Sequence, residues 1–221
     1  MVRDDARLCH RTRSNFPAEF SLWYSGDTKQ NCFMSLSQRI VIKVGSNVLI
    51  KHGQIDRAFY DALFREINSL KQERWQPILV LSGAIASGEA QAQLRTKQAA
   101  AAYGQLVVIN SVQEVARQFN VPLGLLLLSR EDIANRQRYE ALRETLSDLA
   151  NNSIIPIINE NDATAQTGQT DFRDNDHLAA IVAMIVEAER LVLMTDVDGV
   201  YEDFSEASQS GRVLPIIKTS T

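Results

Sequence analysis

The feature that most constrains this chain is the run Ile154-Ile155-Pro156-Ile157-Ile158, which passes directly into Asn159-Glu160-Asn161-Asp162. An unbroken apolar run with no alternating polar face suits a strand buried on both sides, the condition of a parallel sheet held between helices. Its abrupt polar end should fall at the sheet rim, where open α/β folds leave a crevice for ligands. After a polar loop, Asp174-Asn175-Asp176 precedes Leu178, Ile181, Val182 and Ile185, whose spacing is helical, so the Asp-Asn-Asp group should cap or open a helix. One loop therefore joins a strand end to a helix start, with amides and carboxylates at both ends.

The same alternation recurs along the chain. Arg39 to Val44 reads as a strand broken by Gly45-Ser46-Asn47, a turn whose backbone N–H groups could face an anion. Lys43 beside it is either a solvated strand-end lysine or a phosphate ligand. Asp56 should cap a helix with Phe59, Leu63, Ile67 and Leu70 on one face, ending before Pro77. Ile78 to Leu81 is the next strand, and Ser82-Gly83-Ala84-Ile85-Ala86-Ser87-Gly88 turns it into a helix. Its small residues serve either close helix–strand packing or anion binding at the first helical turn. From Gln98 to Phe119 a helix is expected to bury Leu106, Val112, Val115 and Phe119. Pro122 should end that region, and a buried strand is expected over Leu125 to Leu128. Tyr139, Leu142, Leu146 and Leu149 mark another amphipathic helix, and Arg190 to Met194 a last strand running into Thr195-Asp196-Val197-Asp198-Gly199. Strand alternating with helix predicts a three-layer αβα sandwich around a mainly parallel central sheet.

At 221 residues and 45% hydrophobic content the chain can bury one substantial core. Residues 1–37 lack a sustained period and are expected to form an irregular leader, with one domain over 38–221. A net charge of −4 gives no basic footprint for nucleic acid. No apolar run approaches the roughly 20 residues that span a bilayer. Both cysteines, Cys9 and Cys32, lie in the leader, which leaves the body without a thiol nucleophile and is compatible with the reducing cytoplasm. The Gly-x-Ser-x-Gly elbow, the Walker pattern and Gly-x-Gly-x-x-Gly are all missing. Asp196-Val197-Asp198-Gly199 lacks the closing Glu of a calcium loop.

Four strands thus end in polar or glycine-rich turns at Lys43-Val44-Gly45, Ser82-Gly83-Ala84, Asn159 to Asp162 and Thr195-Asp196, and parallel strands put all four on one rim. A lysine, anion-binding turns and carboxylates together suit phosphoryl transfer, in which the protein positions reactants and neutralises charge.

Taken in order, Ile42-Lys43-Val44-Gly45-Ser46, Ser82-Gly83-Ala84-Ile85-Ala86, Pro156 to Ala163, Asp174-Asn175-Asp176 and Thr195 to Gly199 resemble the glutamate 5-kinases of the amino-acid kinase family. The resemblance implies the amino-acid kinase fold and ATP-dependent phosphorylation of the γ-carboxylate of L-glutamate, the first step of proline biosynthesis, with Mg2+ accompanying ATP. It also implies roles for particular residues. Lys43 and Asp176 would be catalytic, the lysine on the ATP phosphates and the aspartate holding it. Ser82, Asp162 and Asn175 would bind glutamate with Asn159 and Asp174 nearby, and Lys43, Gly45, Thr195 and Asp196 would contact ATP. It further implies a homo-oligomer and proline as a feedback inhibitor. Two departures stand out. Arg173 occupies a position usually held by Gly, and the sequence stops at Thr221, before the family's Gly-rich loop with its second lysine, so the kinase domain reads as C-terminally incomplete. The alternatives are a non-catalytic glutamate- or proline-binding or assembly remnant, or a kinase for another carboxylate or a carbamate.

Overall fold

The structure is a computed structural model that describes residues 8–10, 21–25, 38–51, 54–165, 174–196, 202 and 211–213. In chain order the elements are β1 (Leu8–His10), β2 (Ser21–Ser25), β3 (Gln38–Val44), α1 (Ser46–Leu49), β4 (Ile50–Lys51), β5 (Gln54–Ile55), α2 (Arg57–Gln72), β6 (Trp75–Val80) and α3 (Ala84–Gln91). They continue with α4 (Lys97–Gln118), β7 (Leu123–Leu128), α5 (Arg130–Ala134), α6 (Arg136–Asn151), β8 (Ile155–Glu160), α7 (Asn175–Ile185) and β9 (Arg190–Thr195).

Seven strands form one sheet in the order β1-β2-β9-β3-β6-β8-β7, and β4 and β5 make a separate hairpin. The five strands from β9 to β7 are mutually parallel, as the alternation predicts, while β1 and β2 add on antiparallel to β9. These two strands lie in the segment expected to be irregular. The correction has a simple cause: β9 offers an open edge, and Ser21-Leu22-Trp23-Tyr24-Ser25 is rich enough in β-favouring side chains to pair with it.

Two cores flank the sheet. Ile40, Ile42 and Val44 of β3 pack with Phe59, Leu63 and Phe64 of α2 and with Val108 and Val112 of α4. On the opposite face Val41, Ile78, Val80 and Ile158 pack with Leu142 and Leu146 of α6 and with Leu178 and Val182 of α7. The result is the three-layer arrangement. Asp56 caps α2 by accepting from the Phe59 N–H at 3.1 Å. Pro77 and Pro156 both sit inside strands, so β6 begins before Pro77 and not after it at Ile78. Neither can donate to a ladder, and each lies just below the point where β6 and β8 begin to pair, at Leu79 with Ile157.

Two burial expectations are corrected. Leu106 is 63% exposed, because the buried stripe of α4 runs through Ala101, Gln105, Val108, Val112 and Val115 instead. Leu125 and Leu127 are 46% and 37% exposed, because among the described residues β7 is an edge strand and its α4 side is left uncovered there. Short helix α5, which the sequence reading did not anticipate, follows β7 through a Ser129–Asp132 capping box.

Inside the first core the Tyr60 hydroxyl is buried with no hydrogen-bond partner among the described residues, and burial pushes its pKa up. An orphaned buried hydroxyl costs about 1–3 kcal/mol. Tyr60→Phe should therefore raise the melting temperature in thermal denaturation, and a lower one would mean that the hydroxyl has a partner after all.

Candidate active site

Side-chain alternation decides where each polar residue emerges. Because Ile40, Ile42 and Val44 face the α2/α4 layer, Lys43 emerges beside Val41 on the α7 side. There Asp176, in the first turn of α7, meets its ammonium at 2.6 Å. The lysine is 12% exposed and the aspartate 49%, so the cation is largely enclosed while the carboxylate reaches solvent.

On β8 the same logic turns Asn159 toward α4, with Ile155 and Ile157. Its Nδ2 donates to Gln105 Oε1 at 2.6 Å and its Oδ1 accepts the Glu160 N–H at 2.9 Å. Asn175, next to Asp176, enters this group from α7. Its Nδ2 donates to the Leu81 carbonyl at 3.0 Å, to Ser82 Oγ at 2.6 Å and to Asn159 Oδ1 at 3.3 Å. Asn175 Oδ1 is buried and has no hydrogen-bond partner among the described residues. Adjacent residues of one helix turn thus serve two purposes, Asp176 holding the lysine and Asn175 the amide cluster.

Asp174 is the α7 cap, its Oδ1 accepting the His177 N–H at 2.8 Å. Asp162 lies just past β8 and, with Glu160, Asn161, Gln105 and Ala84, lines a cavity of about 330 Å3. Gly83 adopts a left-handed φ of 89° at the start of α3 and makes no side-chain capping bond to the helix, so no side chain of its own occupies the approach to those first-turn N–H groups. At the Gly45 turn one N–H, that of Gly45 itself, is committed to the Met194 carbonyl at 3.1 Å, which stitches the end of β3 to β9. A Cβ there would stand 3.6 Å from Lys43 Nζ, so glycine leaves room beside the lysine. Asn47 Nδ2 donates to Asp196 Oδ2 at 3.1 Å, and Thr195 ends β9 immediately before it.

The four polar strand ends share one rim, in the spatial order Asp196, Lys43, Ser82, Asn159, since β9, β3, β6 and β8 are neighbours. Lys43 and Asp176 are brought into direct contact, as are Ser82, Asn159 and Asn175. Arg173 and Asp198 lie outside the described residues. Among the described residues no group of three or more His, Cys, Asp or Glu side chains could hold a metal ion, and no helix is long and apolar enough to cross a membrane.

The sequence model of the amino acid kinase family matches residues 38–221. The chain belongs to the amino acid kinase family. A glutamate 5-kinase of Geobacter metallireducens is 38% identical over 192 residues, covering 83% of this chain and 51% of that protein. One from Kosmotoga olearia is 39% identical over 192 residues, covering 83% and 52% respectively. The chain therefore spans about half the length of the curated relatives it matches. A crystallised isopentenyl phosphate kinase superposes with a TM-score of 0.52 at 16% identity, covering 80% of this chain and 81% of that one, a likeness of amino acid kinase fold alone.

Sequence reasoning missed two members of the rim. Asn47 is a turn residue whose partner comes from 149 positions away, which no local pattern reveals. Gln105 carried a signal: it is the polar exception in the stripe Ala101, Val108, Val112 and Val115.

Proposed function

We propose that this chain carries the acceptor site and the lysine of an ATP-dependent kinase that phosphorylates the γ-carboxylate of L-glutamate to L-glutamyl 5-phosphate, for proline biosynthesis in the cytoplasm. The observation that carries the reading is the pairing in one helix turn: Asp176 on Lys43, and Asn175 on Ser82 and Asn159. A phosphate-directed cation and a cluster of amides and hydroxyl thereby lie side by side.

In this reading a γ-carboxylate oxygen of glutamate attacks the γ-phosphorus of ATP. The bond from that phosphorus to the bridging oxygen breaks, and ADP leaves with the electron pair. No protein base is required, because a carboxylate is already ionised at neutral pH. Lys43 offers three N–H donors, of which Asp176 takes one, leaving the others for phosphate oxygens whose charge grows during transfer. Asp162 would receive the α-ammonium, and Ser82, Asn159 and Asn175 would orient the acceptor, with Asp174 fixing the helix that carries Asn175. The turn at Gly45 and the end of β9 at Thr195 and Asp196 would take the nucleotide. A Mg2+ ion would accompany ATP in this reading. When bound, it would neutralise phosphate charge.

Homo-oligomer formation and feedback inhibition by proline belong to this reading. The first is supported by Leu106 of α4 and Leu125 and Leu127 of β7, exposed large apolar side chains that all line the cavity. The test is ADP release with ATP and Mg2+, comparing glutamate, aspartate and no acceptor. Glutamate-specific release is expected, and release indifferent to the acceptor would refute the substrate assignment.

A further inference from the structure

The amides at the rim are oriented in one sense, and the backbone fixes that sense at both ends. A backbone N–H only donates, so the Glu160 N–H at 2.9 Å requires the oxygen of Asn159, and the Asn159 nitrogen must point the other way. A backbone carbonyl only accepts, so Leu81 at 3.0 Å requires the nitrogen of Asn175. Asn175 therefore donates to Asn159, and Asn159 donates to Gln105 at 2.6 Å. Gln105 must present its oxygen, and its Nε2 is left buried with no hydrogen-bond partner among the described residues.

That arrangement is costly at this place in the fold. Gln105 is 9% exposed and stands in the buried stripe of α4, where an apolar side chain would pack without stranding a donor. Its one hydrogen bond among those described is the bond to Asn159, and it lines the cavity that Asp162 also lines. A buried polar group kept at a loss in stability, with its one bond aimed at a site residue, is explained by that bond.

We propose that Gln105 is a positioning residue for the acceptor pocket, holding Asn159 so that Asn159 in turn fixes the amide of Asn175 against Ser82. This rests on the glutamate-binding reading for its consequence, though not for the relay itself. Without the Gln105 oxygen the Asn159 NH2 is buried and unpaired, and its side chain turns to find another acceptor. Asn175 then loses one of its three acceptors, and the pocket loses its fixed set of donors and acceptors. Lys43 and Asp176, whose ion pair involves neither Gln105 nor Asn159, are untouched.

Two readouts on the 221-residue chain separate the relay from the substrate. The first needs no ligand: hydrogen exchange of the Asn159 and Asn175 side-chain NH2 groups, followed by NMR. Gln105→Met, apolar and similar in size, should speed exchange at both asparagines by about tenfold or more, in keeping with loss of a buried hydrogen bond. Unchanged exchange overturns the proposal. The second is calorimetric titration with L-glutamate and, separately, with ATP. Gln105→Met should weaken glutamate about 10- to 100-fold with little change for ATP, and should add nothing in an Asn159→Leu background. Gln105→Glu, which keeps an oxygen facing Asn159, should restore much of the affinity. Equal losses for both ligands, or full additivity with Asn159→Leu, would make Gln105 merely structural and overturn its positioning role. If wild-type chain binds no glutamate, the glutamate reading fails, and the exchange measurement still decides the relay.

Discussion

Exchanging Lys43 for methionine is expected to lower glutamate-dependent ADP release by about a hundredfold or more, the scale on which single charge-stabilising groups act in transition states. Glutamate affinity should change little, because the acceptor cluster is built by Asn175, Ser82 and Asn159, none of which bonds the lysine in the structure. Folding should also survive. The partner left behind, Asp176, is 49% exposed and can be hydrated, so the lost ion pair is worth no more than about 1 kcal/mol. The signature is a fall in kcat with KM for glutamate preserved. Undiminished turnover would remove Lys43 from the reaction, and a parallel loss of glutamate binding would place it in the acceptor pocket instead.

Gly104→Ala should have the largest effect on stability. A Cβ at that position would stand 1.9 Å from the Ala84 carbonyl oxygen and 2.5 Å from the Gly88 nitrogen. These are backbone atoms of α3, which cannot swing aside as a side-chain end can. Gly88 is wedged equally tightly against α4, its added Cβ meeting the Ala100 carbonyl oxygen at 2.0 Å. The two helices are therefore in backbone contact at both glycines. Overpacking of this kind costs about 3 kcal/mol or more when the backbone must move. For a chain of this size that corresponds to roughly a 10 °C fall in melting temperature. The effect reaches the site, because α3 begins at Ala84, directly after Ser82 and Gly83. Separating the helices shifts the Ser82 hydroxyl away from Asn175 and should weaken glutamate binding in whatever fraction stays folded. A melting temperature within about 2 °C of wild type would show that α3 and α4 can part without loss.

Much of this fold was legible because the strands that matter are buried on both faces. Such strands read as unbroken apolar runs, and β3 and β6 ended at their polar turns, while β8 ran on through Asn159 and Glu160 and β9 through Thr195. The Asp56 and Asp174 caps were equally plain, since each stands just ahead of a helical apolar period. What failed was burial at the sheet margin. Leu125 and Leu127 have the composition of a central strand, and only the strand order shows that among the described residues β7 has no neighbour beyond it. Leu106 failed because composition favoured the leucine over the period: the 3.6-residue turn sets it off the face of Val112 and Val115, while its neighbour Gln105 falls on that face. Hydrogen-bond commitments were invisible in the same way. Nothing local to Gly45 shows that its N–H belongs to Met194, and nothing local to Gln105 shows that it answers to Asn159.

The most direct test of the central claim is to trap the product. An acyl phosphate reacts with hydroxylamine to give a hydroxamate, so incubation of the chain with ATP, Mg2+, L-glutamate and hydroxylamine should yield glutamyl hydroxamate. The product should disappear with Lys43→Met and fall sharply when aspartate replaces glutamate. ATP consumption without hydroxamate, or hydroxamate formed equally from aspartate, would contradict the assignment of this rim to the γ-carboxylate of glutamate.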